Sequence, residues 1–197
     1  MTKENFQADI EVKGNSEIFL NYLQGNQIWY FTDYLKVENP SDTYDNFKKF
    51  VSQSLGVSFN NVCIVGSGKL GYSLAPDKNF SDFNEEESDI DLVIVSRNYY
   101  YKFWNAYLDL YEDKVNIGYR YITSNIFRRF ISVKEPKPIH PFFKDWISRI
   151  EKFNKDYQLL FGIKHDINYR IYDSWESVER YHLKGIQEIK ELSTQEK

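Results

Sequence analysis

Asn61–Ser96, NVCIVGSGKLGYSLAPDKNFSDFNEEESDIDLVIVS, is the stretch whose reading decides the fold. An apolar run, Val62 to Val65, ends in Gly66-Ser67. A polar excursion follows, and the chain returns as Ser88-Asp89-Ile90-Asp91-Leu92-Val93-Ile94-Val95. Successive side chains of a strand point to opposite faces, so Asp89 and Asp91 share one face and Ile90, Leu92 and Ile94 the other. At a rise of ~3.3 Å per residue the two carboxylates lie roughly 6–7 Å apart, within reach of a shared pair of divalent cations. A glycine-serine turn after a strand offers backbone N–H groups to a polyphosphate. Burying two carboxylates in an apolar strand costs several kcal/mol unless they are paired or metal-bound. The ordinary alternative is an edge strand with a wet polar face.

Outward from this stretch, the pattern of Ile18, Phe19, Tyr22, Leu23, Ile28, Phe31, Tyr34 and Leu35 predicts helix over 16–35, broken at Gly25-Asn26. Asn39-Pro40-Ser41-Asp42 reads as a turn, and a second helix as running from Thr43 to Leu55. Val57 to Val65 reads as the first strand, Lys69 to Leu74 as a short helix with its N-terminus toward the phosphates, and Asp89 to Ser96 as the second strand. Helix is expected from Asn98 to Tyr111, strand or helix from Val115 to Ile122, and a short basic helix capped by Ser124 with Arg128-Arg129. The Pro-rich segment Val133 to Pro141 reads as an extended linker or lid. Phe142 to Phe161 is amphipathic, Lys164 to Tyr172 alternates as a strand, and Asp173-Ser174-Trp175-Glu176 opens a last helix to Leu192. The expected organisation is a polar, frayed 1–15, one domain over 16–192 and a disordered tail, 193–197. The fold class is α/β (α+β), a small mixed sheet flanked by helices.

Composition narrows the function. The chain has 197 residues, 42% hydrophobic and 27% charged, ordinary for one globular domain. A net charge of −4 argues against tight binding of long nucleic acid, which calls for a strongly basic surface. Sixteen Tyr and fifteen Phe supply core packing before they supply base stacking. No apolar run approaches the ~18 residues of a membrane span, and the N-terminus lacks the apolar region of a secretory signal. The single cysteine, Cys63, sits in an apolar strand as a small core residue and forms no internal disulfide. These features together set the expectation of a cytoplasmic protein.

Gly66-Ser67 followed by Asp89-x-Asp91 resembles the signature of the DNA polymerase β-type nucleotidyltransferase superfamily: strand, Gly-Ser, spacer, then Asp-x-Asp inside an apolar strand. The resemblance covers about the middle fifth of the chain. The wording GSGKLGYSL and SDIDLVIVS is also similar to small stand-alone members of bacterial toxin–antitoxin and anti-phage loci. The resemblance implies two Mg²⁺ (or Mn²⁺) ions, an NTP or dNTP, and transfer of NMP or dNMP to a hydroxyl with release of pyrophosphate. The acceptor would be a nucleic-acid 3′ end, a nucleotide or a protein tyrosine, and a cognate effector or toxin is an expected partner. It assigns Asp89 and Asp91 to the metals and Gly66 and Ser67 to the β/γ-phosphates, with Lys69, Ser73 and Arg170 as further phosphate ligands.

The chain departs from the pattern at the third carboxylate, which a later strand supplies to hold the catalytic metal and act as base. In HDINYRIYD, Asp166 lies on the polar face, while Asn168 sits where the acid is expected, and an amide is a weaker Mg²⁺ ligand and no base. Either Asp166 serves as the third acid or the third acid is absent. Asp173 is the poorer choice because it reads as an N-cap. The second reading is therefore a nucleotide-binding, antitoxin-like partner without turnover. The spacer from Pro76 to Glu87 reads as an insertion, its Glu85-Glu86-Glu87 as a solvated loop. GSGK is not a P-loop, because Leu70 follows the lysine and the spacing is wrong. His140, His165 and His182 show no metal-ligand spacing.

Overall fold

The computed structural model describes residues 2–75, 78–133 and 138–195. Four strands, β1 (Val62–Val65), β2 (Ile90–Val95), β3 (Ile131–Val133) and β4 (Ile167–Tyr172), form one mixed sheet in the order β1-β2-β4-β3. β2 runs antiparallel to β1 and parallel to β4, and β3 closes the far edge antiparallel to β4. The α/β class expected from the sequence is the class observed.

Alternation along the strands gives the sheet two different faces. Ile64, Leu92, Ile94, Ile131, Tyr169 and Ile171 point into the main core. Three helices cover that side: α3 (Pro40–Leu55), α5 (Arg97–Glu112) and α7 (Pro141–Phe161), through Phe47, Val51, Phe103, Phe143, Trp146 and Phe153. On the opposite face Val65, Val93, Val95 and Tyr172 are covered by Val178 and Trp175 of α8 (Trp175–Gln195). That apolar strip gives way to Asp91, Asn168, Arg170 and Ser132 further along the same face.

The helix ends carry ordinary signals. Pro40 and Pro141 open α3 and α7, where a missing N–H costs nothing, and Gly56 and Gly162 close them at φ +65° and +68°. Ser96 Oγ caps α5 by accepting from Tyr99 N–H at 3.2 Å. The cap of α8 is Ser174, whose Oγ accepts from Ser177 N–H at 3.3 Å, rather than Asp173.

Several expectations are corrected. Within the N-terminal segment expected to be frayed, Lys3–Val12 is a helix, α1, whose Phe6 and Ile10, one turn apart, are buried against Tyr22, Tyr72 and Ile186. Its Asp9 carboxylate accepts from Tyr22 Oη at 2.8 Å. The 16–35 segment is α2 (Asn15–Ile18) continuing into a π-helical turn (Phe19–Gln24) that stops before Gly25, then a second π-helical turn, Tyr30–Tyr34. The stretch 115–122 resolves into the start of α6 (Tyr119–Phe127). Ser124 lies inside α6, so no separate basic helix exists; Arg128 ends α6 and Arg129 turns the chain at φ +72° into β3. In the proposed linker, Val133 belongs to β3 and Pro141 to α7, while 134–137 lie outside the described residues. The C-terminal tail is helical as far as Gln195.

The spacer is stapled on both sides, although Pro76 and Asp77 lie outside the described residues. Ser73 N–H and Phe83 N–H donate to Ser81 O and Gly71 O, each at 2.8 Å. Phe83 packs among Trp29, Tyr30, Tyr34 and His165. Glu85, Glu86 and Glu87 are exposed, as expected.

Candidate functional site

β1 and β2 pair with Val65 opposite Asp91, so the turn after β1 comes down beside that carboxylate. Gly66 has φ +67° and ψ −151°, a conformation open essentially only to glycine, and a Cβ there would lie 2.7 Å from Asp91 Oδ2. The glycine is thus required twice, by backbone conformation and by lack of room. Ser67 follows as the first residue of the one-turn helix α4 (Ser67–Leu70), half-buried at the same corner.

β2 and β4 pair in parallel with Asp91 opposite Asn168 and Val93 opposite Arg170. That register fills Asp91's coordination with protein groups. Arg170 Nε donates to Oδ1 at 2.9 Å and Nη2 to Oδ2 at 2.8 Å, a bidentate pair. Asn168 Nδ2 donates to Oδ1 at 2.8 Å, and its own Oδ1 accepts from Ser132 Oγ at 2.9 Å, which fixes the amide's orientation. The side chains of Arg170 and Asp91 are 21% and 18% exposed, so the pair is mostly covered yet open at one edge. Phe130 carries the guanidinium on its ring at 5.4 Å, and Arg170 Nη1 donates to Tyr181 Oη at 3.4 Å. Burial works against the Arg170 charge, but Asp91 beside it more than offsets this, so its pKa is pushed up and it stays protonated. Three of its five N–H groups are committed, which leaves two donors free of these partners.

The remaining expected site residues are placed differently. Asp89 precedes β2 and is half-buried. Asp166 is exposed and precedes β4; its carbonyl accepts from Ile90 N–H at 2.9 Å, while Asn168 takes the position opposite Asp91. Lys69 is 3% exposed and turned away from the turn's open side: its Nζ donates to the Gly25 carbonyl, and burial pushes its pKa down to about 8. It ties α4 to the N-terminal helices. Ser73 Oγ accepts from Ala75 N–H at 3.2 Å within the spacer. Cys63, half-buried in β1, packs against the apolar cluster of Val65, Val93 and Tyr172, and burial pushes its thiol up to about 12.

The two-ion arrangement does not fit these residues. Mg²⁺ needs carboxylate oxygens free to enter an octahedral shell. Both oxygens of Asp91 accept N–H donors, and the residue opposite it is an amide. Among the described residues no three His, Cys, Asp or Glu side chains gather to hold a metal ion. What the site offers is a neutralised ion pair with spare guanidinium donors beside a Gly-Ser turn, an arrangement suited to an anionic oxygen.

Sequence reasoning named Arg170 and Asn168 but missed Ser132, Phe130 and Tyr181, which orient them. Ser132 sits in a strand of three residues, too short for alternation to show. Tyr172 Oη and His182 Nε2, both buried, have no hydrogen-bond partner. Burial and the Arg170 charge push His182 down to about 3, so it is neutral. Among the described residues no helix is long and apolar enough to cross a membrane. No protein-family model, no curated protein and no solved structure matches the chain.

Proposed function

We propose that this protein binds a nucleoside triphosphate through its phosphates at the Gly66–Ser67 turn and Arg170, as a nucleotide-binding partner protein without two-ion turnover. One observation carries the reading: Arg170 and Asn168 together hold both oxygens of Asp91, directly beside the turn. The guanidinium supplies N–H donors, the turn supplies backbone approach, and the carboxylate fixes the guanidinium's plane. A cognate effector or toxin, in a bacterial anti-phage or stress-response setting, is the partner this reading proposes.

A second reading is favoured by the pairing of Val65 with Asp91, which brings the Gly-Ser turn beside the second carboxylate of Asp89-x-Asp91. In it the protein is a Mg²⁺- or Mn²⁺-dependent nucleotidyltransferase, moving NMP or dNMP to a nucleic-acid end, a nucleotide or a tyrosine. It requires Arg170 to leave Asp91. Incubation with each labelled NTP and dNTP, with Mg²⁺ or Mn²⁺ and candidate acceptors, separates the two. Bound nucleotide without pyrophosphate release is the expected result. Pyrophosphate release that disappears in Asp89→Ala/Asp91→Ala would establish the transferase instead.

A further inference from the structure

We infer that Arg170 is a resident cation standing where a metal ion would bind Asp91, so that the ligand of this site is the metal-free polyphosphate of a nucleoside triphosphate. The inference rests on the nucleotide-binding reading and adds the ionic form of the ligand. A divalent ion on Asp91 finds three of the carboxylate's roughly four lone-pair sites taken by N–H donors and must sit beside a guanidinium of the same sign. The position opposite Asp91 is the neutral Asn168, itself locked to Ser132, so the neighbouring strand brings no second carboxylate into register with it. A phosphate oxygen meets the reverse situation. It finds guanidinium donors not taken by Asp91 or Tyr181 on a planar group already oriented by Asp91 and Phe130, and no hydration shell of Mg²⁺ has to be accommodated.

The orphaned polar atoms point the same way. Tyr172, two residues beyond Arg170 on the same sheet face, is fully buried, and its hydroxyl has no partner. His182, next to Tyr181 on α8, is neutral with Nε2 unpartnered. Both feel the Arg170 charge. Buried polar groups left unpaired are rare; of the three among the described residues, Tyr72 Oη lies in the N-terminal cluster, while Tyr172 Oη and His182 Nε2 belong to the Arg170 face of the sheet and to the helix that covers it, where an oxygen-bearing ligand would pair with them.

Calorimetric titration of the full chain with ATP, GTP, CTP and UTP, in EDTA and in Mg²⁺, tests this. At least one triphosphate should bind in EDTA as tightly as in Mg²⁺, or more tightly. A triphosphate whose binding weakens about tenfold or more in EDTA would overturn the inference while leaving the nucleotide reading intact. Silence of all four in both buffers removes the nucleotide reading and the inference with it. A second arm needs no nucleotide: Mn²⁺ binding followed by electron paramagnetic resonance. The unaltered protein should show no Asp91-dependent Mn²⁺, and Asn168→Asp/Arg170→Met should gain it. Mn²⁺ bound by the unaltered protein and lost in Asp91→Asn would overturn the placement of Arg170.

Discussion

Asp91 accepts three hydrogen bonds and faces one full positive charge with less than a fifth of its side chain exposed. Removing it strands a largely buried guanidinium and an amide, so Asp91→Ala should destabilise the protein by about 3 kcal/mol in urea unfolding. Adding Arg170→Met should cost much less than the sum of the two single changes, because the second substitution removes the charge the first left unpaired. Lys69 makes the opposite kind of prediction. Its pKa falls from 10.5 to about 8 on folding, so between those values the unfolded chain holds a proton that the native state lacks. Stability therefore rises as pH goes from about 8 toward 10.5, and below about 8 the native state carries the cost of a buried charge. Lys69→Met should lose that rise, so the two unfolding curves, compared across the window, converge with increasing pH.

At the scale of elements, the turn between β1 and α4 has the least tolerance. Gly66→Ala adds a Cβ at a glycine-only backbone conformation and against a carboxylate that Arg170 prevents from moving. A loss of about 2 kcal/mol is expected, with the thermal midpoint as readout. In α1, Phe6→Ala empties a site enclosed by Tyr22, Tyr72 and Phe80 and should cost about 3–4 kcal/mol, which a frayed N-terminus would not. These elements also show what the sequence makes legible. β2 announces itself by an apolar run broken only by Asp91, and α3, α5, α7 and α8 by apolar periodicity, although Pro40 and Pro141, read as turn and linker, prove to be the first residues of α3 and α7. α1 is hidden because only two of its ten residues, Phe6 and Ile10, are buried. β3 is hidden because three residues show no period. The meeting of Arg170 with Asp91, 79 residues apart, depends on the register of β2 against β4, which neither strand encodes alone. Sequence could therefore name the residues of the corner but not their partners, and the arginine that Asp91 holds could not be read from either strand alone.

Across the whole molecule, one sheet separates two tasks. Its inner face joins β1, β2, β3 and β4 to α3, α5 and α7 in the main core. Its outer face is half covered by α8, and the N-terminal helices brace α8 through Phe6, Phe19, Ile186 and Ile189. What α8 leaves is the polar corner of Gly66, Ser67, Asp91, Asn168 and Arg170. With a net charge of −4, an anionic ligand is held by the directed N–H donors of this corner rather than drawn by a basic surface at large. The claim that this corner is a triphosphate site is tested most directly by hydrogen–deuterium exchange of the full chain with and without saturating nucleoside triphosphate. Slowed exchange concentrated in 65–71 and 168–172 is the result the account requires. Unchanged exchange in both segments under every triphosphate, or slowing confined to another part of the surface, would contradict it.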